Sequence, residues 1–518
     1  MADAMSVLNN IIREELPHVI HESLPEIAPI FTEIVQTSED VKRDKGIGRG
    51  WNVEHLFDTG IAGLLEYGAP GGPDMTTITG NQVGLLAQGT AEANLSIFPT
   101  ATESPHGAEL KRVLPLHKMV GNFSIPATWM QADALSATQI KKVARDIKKV
   151  GQLRALIEAV SFFSHNASDG TYDVKVLGRV SSIAEVNATN YVDITLDEEY
   201  GRIHNFRVGM RIDVTADSAG NIQSGTTTDG NDVRNYAGSN VYVQLLITSV
   251  DYLSKVIRVV GINSTTGAVA AYSSGDWGSG QAAAADDWLV LAHCSRYTSG
   301  ARPIFSWGLN DWTKSSGVVM GGASAAEALD LDVYHQFKSQ VVAVNAPLTD
   351  DVLNRYIAGF MDAYPGTTID NLITTQGVTQ KYIEQPSLYN NRQVFDRTGK
   401  ALKLVGGWTT VEYAFNGKLL KWVVSPMCLK KTMYGCKLSG GNLKRYVPPR
   451  IGGVDSRVGA EIEFLAPLGG HTGIFKIAHA SSGAAQDLVE APFWQYVLRC
   501  PVDIKGVKLT GLTESILV

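Results

Sequence analysis

Charge is scarce in this chain: Asp, Glu, Lys and Arg make up 19% of its 518 residues, below the roughly 25% of an ordinary soluble domain. What charge there is leans acidic, with 45 Lys and Arg against 52 Asp and Glu, a formal net charge of -7 and a pI of about 5.9. Proteins that grip nucleic acid draw affinity from Lys and Arg that neutralise phosphates, and that basic excess is missing. Cysteine is nearly absent. Cys294, Cys428, Cys436 and Cys500 are scattered and form no CxxC, which argues against a disulfide framework and fits assembly in a reducing cytoplasm. Long apolar runs are missing too, none approaching the ~20 residues of a membrane-spanning helix. The opening MADAMSVLNNIIREELPHVIHE lacks the apolar core of a signal peptide. The expectation is a soluble protein with no membrane partner.

What is present is apolar material and turns. Hydrophobic residues reach 44% and glycines number 51, enough for three or four domains at ~150 residues each. This is turn-rich β structure with much surface hidden in contacts, not a disordered chain.

Along the chain, residues 6–36 carry Leu8, Ile11, Ile12, Val19, Ile20, Leu24, Ile27, Phe31 and Ile34 at helical spacing, interrupted by Pro17, Pro25 and Pro29. Prolines break helices, so the spacing predicts a broken amphipathic arm that needs a partner surface. From DVKRDKGIGRGW to about Gly89, glycines and charges mix without period, as in extended chain with short helical pieces. EANLSIF (92–98) and KRVLPLHKMVGNFSI (111–125) read as a long hairpin with a polar tip, bent or at an edge where Pro115 falls. Lys111 and Arg112 then form a basic pair near the tip.

Ser136 and Gln139 form an S-x-x-Q capping box. Beyond it Ile140, Val143, Ile147, Val150, Ile157 and Val160 mark one face of a helix running to about His165. Lys141, Lys142, Arg145, Lys148 and Lys149 mark the other. Such a helix is about 40 Å long. Gly151 costs it ~1 kcal/mol relative to alanine, so packing must hold it there.

From about 170 to 297 nothing looks helical. YVDITL, GMRIDV, VYVQLLITSVD, KVIRVVGI and DDWLVLA alternate between glycine-, asparagine-, serine- and threonine-rich gaps, the pattern of a self-contained β domain. Mixed structure then returns. APLTDDVLNRYIAGFMDAY predicts a helix capped by Thr349 with Leu353, Ile357 and Phe360 buried. ALKLVGGWTTVEYAFNGKLLKWVVSP predicts paired strands, and the tail from Phe493 predicts a final strand pair.

Catalytic signatures are weak. His18, His21 and Glu22 run H-x-x-H-E, not the zinc-binding H-E-x-x-H. GIGRG (46–50) lacks the full G-x-G-x-x-G and reads as a hinge. Asp286 and Asp287 are adjacent and point to opposite faces of a strand, a poor glycosidase pair. GGHTG (469–473) has no nucleophile motif beside it. No catalytic, cofactor-binding or metal residue is expected, and the chain is not read as an enzyme.

The succession of parts resembles the major capsid proteins of tailed bacteriophages, whose Hong Kong-type fold is shared with encapsulins. The residues that carry the resemblance are the N-terminal arm, the hairpin, LPLHKMVGNFSIPATWMQADALSATQIKKVARDIKKVG leading into the long helix, GTTIDNLITTQGVTQKYIE, and RTGKALKLVGGWTTVEYAFNGKLLKWVVSPMCLKKTMYG. The order of these parts carries the weight, since no single motif is diagnostic. The resemblance implies an α+β capsid fold with an N-terminal arm at 1–60, an extended E-loop region at 61–130 and a spine helix of the peripheral domain at 131–169. An inserted β-barrel-like domain follows at 170–300, peripheral domain at 301–345, axial domain at 346–440, and a peripheral return at 441–518.

It further implies pentamers and hexamers of one chain closing into an icosahedral shell in a virion assembled in the bacterial cytoplasm. A portal protein, scaffolding or decoration proteins and weakly contacted double-stranded DNA would be partners. Lys111, Arg112 and Lys118 are candidate inter-subunit contacts, and Lys141, Lys142, Arg145, Lys148 and Lys149 a candidate face toward DNA or a neighbour's acids. Lys111 and Lys118 also stand as candidates for the lysine that forms a Lys–Asn isopeptide cross-link in the founding member of the family. No asparagine follows Asn442, so contacts without cross-links are expected. Two alternatives stay open. One is an encapsulin-type compartment. The other is a β-rich carbohydrate-binding protein or hydrolase working through Tyr191, Tyr236, Tyr242, Trp277 and Trp288.

Overall fold

The computed structural model describes residues 2–43, 51–58, 66–67, 85–86, 109–126, 136–164, 176–187, 191–198, 202–215, 243–263, 269–270, 287–291, 307–319, 329–332, 334–364, 367–385, 411–415, 418–438, 442–449, 462–464, 476–478, 488–501 and 505–515. The helices are α1 (Ala2–Ile27), α2 (Ala137–Phe163), the single turn α3 (Leu309–Trp312), α4 (Asp350–Ala363) and α5 (Gln376–Ile383).

α2 begins where the capping box places it. Ser136 N donates to Gln139 Oε1 (2.8 Å) and Gln139 N to Ser136 Oγ (3.3 Å). Val143, Ile147, Gly151, Ala155 and Ala159 form an every-fourth-residue row, all buried. On α1, Leu16, Ile20, Leu24 and then Ala28 make a matching row at 0–3% exposure. Rows of this spacing interdigitate as ridges in grooves, and small residues on α2 let the axes approach. A Cβ built on Gly151 would stand 2.4 Å from Val19 Cγ1. The glycine that weakens the isolated helix is what admits its neighbour.

This corrects the reading of the arm. α1 is one helix with Pro17 and Pro25 inside it, and Leu16, Ile20 and Leu24 are covered by its own chain rather than waiting for a sister copy; the side chains of Leu8, Ile11 and Ile12 lie outside the described ones. A helix-interior proline costs ~3 kcal/mol, and each fully buried aliphatic side chain returns ~1.5–3 kcal/mol. Burial of Leu16, Ile20 and Leu24 therefore matches the local penalty. Ile140, expected on the buried face, is 39% exposed; it lies one turn before the row begins.

The long strand Leu488–Pro501 organises the body. It pairs antiparallel with His117–Pro126 along Leu488↔Pro126 to Val497↔His117, and with Leu443–Tyr446, Ile462–Phe464 and Lys476–Ala478. Val35–Thr37 extends the sheet parallel to Leu443–Tyr446. The segment 111–125 is thus not one strand. Glu109–Pro115 ends at the proline and pairs with Trp51–Asp58, while His117–Pro126 joins the body. The ribbon's partner strand is 51–58, within the stretch expected to lack regular period; EANLSIF (92–98) lies outside the described residues.

Between them sits a closed barrel. Val176–Asn187, Tyr191–Leu196, Val256–Asn263, Val243–Asp251, Arg211–Thr215 and Trp288–Leu291 pair in a ring, with Val269–Ala270 added to one strand. Closure removes sheet edges. Alternation drives it: Val192, Ile194 and Leu196 are buried while Tyr191, Asp193 and Thr195 are not. Five of the six ring strands follow the sequence reading. Val176–Asn187, with Gly178 and three register shifts against its two neighbours, breaks alternation and escaped it. The barrel's core is continuous with that of α1 and α2, so the β unit is less self-contained than its composition suggests.

A second mixed sheet takes Gln340–Ala343, Gly506–Thr510, Met433–Cys436, Asn371–Thr374, Lys418–Val424 and Val411–Phe415 in that order. α4 is capped by Thr349 and buries Leu353, Ile357 and Phe360, as its spacing predicts. The tail forms two strands, but they belong to different sheets and do not pair with each other.

Candidate assembly surfaces

Three surfaces and one buried cluster stand out. The first surface is the ribbon. Trp51–Asp58 and Glu109–Pro115 pair as far as Asp58↔Glu109. Its base is anchored by Val53 and Leu114 at 0% exposure, with Trp51 and Val41, and by Leu116 N donating to Trp51 O (2.8 Å). Lys111 stands opposite Leu56 and Arg112 opposite His55, in the stem and not at a tip. Lys118 lies opposite Tyr496 in the body sheet, off the ribbon altogether. The fold therefore does not bring these three together as one contact patch.

The second surface is the outer face of α2, where Lys141, Lys142, Arg145, Lys148 and Lys149 are all exposed. These residues do gather on one ridge. The half of α2 that follows them is buried throughout from Ala155 to Phe163, so the ridge is carried on a firmly seated helix.

The third is a barrel turn that periodicity did not reveal. Asp251 Oδ1 accepts from Leu253 N (3.0 Å) and Ser254 N (3.3 Å), an Asx turn closed by Lys255 at φ 56°. These bonds hold the Asp251 carboxyl below its ordinary pKa, the Ser254 hydroxyl contributing most. Leu253 is held out at 94% exposure, with Tyr252 at 46% and Val208 at 64% nearby in the fold. Arg207 donates to Tyr252 Oη (3.2 Å), and His204 stacks on the same ring. The preset turn thus holds a leucine side chain in water, outside the core.

The buried cluster ties the arm, α2 and the body sheet. Arg445 and Arg499 are directly opposed on adjacent strands, an arrangement that repels unless an acid intervenes. Glu158 of α2 does so. Arg445 Nε and a terminal nitrogen grip its two oxygens at 2.7 and 2.9 Å, and Arg445 also reaches Gln36 Oε1 (3.1 Å). Arg499 donates to Glu158 O (2.7 Å) and lies over the rings of Phe31 and Phe162 at 5.7 and 5.3 Å. Burial alone would raise the Glu158 pKa; the charge and hydrogen bonds of Arg445, aided by Arg499, bring it below the ordinary value. Burial pushes Arg499 down to about 10, against the pull of Glu158.

His18 pairs with Glu22 on the exposed side of α1 (3.0 Å), and among the described residues no group of three or more His, Cys, Asp or Glu could hold a metal. Cys428, Cys436 and Cys500 are free and buried. No described helix is long and apolar enough to cross a membrane. Of the proposed sugar-binding aromatics, Tyr191 is exposed and Trp288 is buried beneath Arg179, so these two make no shared platform. Tyr236, Tyr242 and Trp277 lie outside the described residues, as do GIGRG and GGHTG.

No family model and no curated protein matches the chain. Among solved structures it is similar to phage capsid proteins and an encapsulin shell. One is the holo-SrpI encapsulin complex from Synechococcus elongatus PCC 7942 (10% identity, 34% of this chain and 52% of that one, TM-score 0.20). A second is the capsid of cyanophage A-1(L) (15% identity, 40% of this chain and 61% of that one, TM-score 0.25). A third is the procapsid of satellite phage P4 with its size determination protein (12% identity, 96% of this chain and 90% of that one, TM-score 0.27). The chain spans about half the length of the encapsulin chain and three fifths of the cyanophage one.

Proposed function

We propose that the chain is the major capsid protein of a tailed bacteriophage, building an icosahedral shell of pentamers and hexamers around double-stranded DNA without covalent cross-links. The observation that supports this best is the anchored ribbon. Its strands Trp51–Asp58 and Glu109–Pro115 stay paired out to Asp58↔Glu109, and its base is fixed by buried Trp51, Val53 and Leu114. A two-stranded ribbon is marginal alone, and a neighbouring copy is the simplest thing to complete it. Heterologous contacts of that kind close into rings. Residues 170–300 would be an inserted domain, presenting Leu253 outward to a neighbour or decoration protein. Residues 346–440, with the strands that flank them in the second sheet, would form the axial domain. The ridge Lys141, Lys142, Arg145, Lys148 and Lys149 would face packaged DNA or a neighbour's acids, and Lys111, Arg112 and Lys118 would serve separate contacts. Particles would form in the bacterial cytoplasm, with portal and scaffolding proteins as further partners.

Electron microscopy of the purified full-length chain tests this. Closed, regular, hollow particles are the expected result, and a monomer that never associates at any concentration would refute it. Particles from infected cells should carry nuclease-protected DNA; a protein cargo in its place would favour the encapsulin reading. On denaturing gels the shell should run as one band at 55.8 kDa, and a ladder would refute the absence of cross-links.

A further inference from the structure

Arg202 sits where the barrel meets the body, at the N-terminal cap of the 3-10 turn Ile203–Asn205. It is 5% exposed, and among the described residues none of its three guanidinium nitrogens has a hydrogen-bond partner. A desolvated guanidinium without an acceptor is costly by several kcal/mol, and folds keep one where something pairs it.

The groups whose charges it feels do not fill that role. Cys428 and Tyr434 are buried and neutral at pH 7, the thiol pushed up to about 12 and the phenol well above its ordinary value by burial. Glu514 is the one carboxylate among them, and its Oε1 already accepts from Lys431 N (2.8 Å) and the Thr375 hydroxyl. Further positive charge stands close by. Lys430 is half-buried, and its pKa is lowered by burial first and then by Lys255, with Arg202 adding to it; Glu514 and the exposed Glu198 oppose this. Lys255 closes the barrel's Leu253 turn. Lys430 thus feels the charge of both Lys255 and Arg202, and Arg202, the most buried of the three, has an unused planar fork.

We propose that Arg202, with Lys430 and Lys255, forms a binding site for a small oxyanion of the phosphate type that fastens the barrel to the body. A guanidinium fork matches a tetrahedral oxyanion bidentately, and a group 5% exposed lies out of reach of a polymer backbone. The site is independent of whether the chain builds shells.

Differential scanning calorimetry of the full-length chain, with sodium phosphate exchanged for sodium chloride at constant ionic strength, tests it. The wild-type melting temperature should climb with the logarithm of phosphate concentration once the site is occupied. Arg202→Met should abolish the response and melt no lower than wild type in chloride, because an unpaired buried charge has been removed. Lys430→Gln should raise the phosphate needed by about tenfold, the loss of one charge-assisted hydrogen bond. Equilibrium dialysis of the wild type should find about one phosphate per chain, so the outcome does not depend on any variant folding. A short DNA duplex at equal phosphate should give no shift at this site. A wild type blind to phosphate, or an unchanged response in both variants, overturns the proposal, and so does a duplex that replaces phosphate.

Discussion

Glu158→Gln probes the packing of arm, spine and body in one step. The wild-type carboxylate is 1% exposed and held by an Arg445 side chain that is 4% exposed, with fully buried Arg499 opposed to Arg445 across the strands. Glutamine keeps the shape and one acceptor but removes the charge, leaving two guanidinium groups facing each other in the core. Breaking a buried pair from one side costs ~3–5 kcal/mol. For a cooperative unit of 150–250 residues that is a fall in melting temperature of roughly 6–20 °C. Urea denaturation at pH 7, followed by tryptophan fluorescence, reads the loss. The double variant Glu158→Gln with Arg445→Met should recover much of it, since replacing both partners with matched groups is often near neutral. pH supplies an independent check. Arg445 and Arg499 hold the folded Glu158 pKa below the ordinary glutamate value, so its contribution is complete above that ordinary value and is lost as pH falls through the folded pKa. The gap between wild type and Glu158→Gln should therefore close in acid and stay constant above about pH 6. A variant within ~1 kcal/mol of wild type at pH 7, or a double variant no better than the single, would refute the assigned role.

Four further outcomes follow from particular contacts. Gly308→Ala should destabilise by ~3 kcal/mol or more, because its Cβ would meet Phe162 O at 2.2 Å and Ser161 O at 2.6 Å, backbone atoms that cannot step aside; urea midpoints report it. Gly151→Ala should lose ~1–3 kcal/mol to its clash with Val19 despite ~1 kcal/mol of helix propensity gained, and adding Val19→Ala should restore stability above the single variant. Thr349→Ala should cost ~1 kcal/mol by removing the bond from Val352 N (3.2 Å), read by calorimetry. Alkylation of the folded chain at pH 8 should modify at most one thiol, since burial raises the pKa of Cys428, Cys436 and Cys500, while the urea-unfolded chain should react at all four.

Local features were legible wherever one segment supplied both the signal and its partner. The Ser136 box, the Thr349 cap, the buried row Leu353, Ile357 and Phe360, and the alternating barrel strands all satisfy their backbone groups or apolar faces close by. Lys141, Lys142, Arg145, Lys148 and Lys149 were readable as an exposed ridge for the same reason. The ribbon was misread because Trp51–Asp58, preceded by glycines and charges, takes its pairing from residues beyond 108. The Glu158 cluster left no local trace: Glu158, Arg445 and Arg499 are ordinary charges in the sequence until three elements converge. Arg202 was silent likewise, since nothing along the chain marks a cation that will be desolvated.

The amino-acid sequence by itself determined the periods, the caps, the interruption at Pro115 and the succession of amphipathic arm, long capped helix, β unit and mixed structure, because these depend on neighbours within a few residues. Only the tertiary structure decided that α1 could remain a helix through two prolines, that Leu488–Pro501 would pair with His117–Pro126 from the opposite end of the chain, and which charges would lose their water. Burial and pairing between distant segments set those outcomes, and their energies of several kcal/mol exceed the local preferences that a sequence displays.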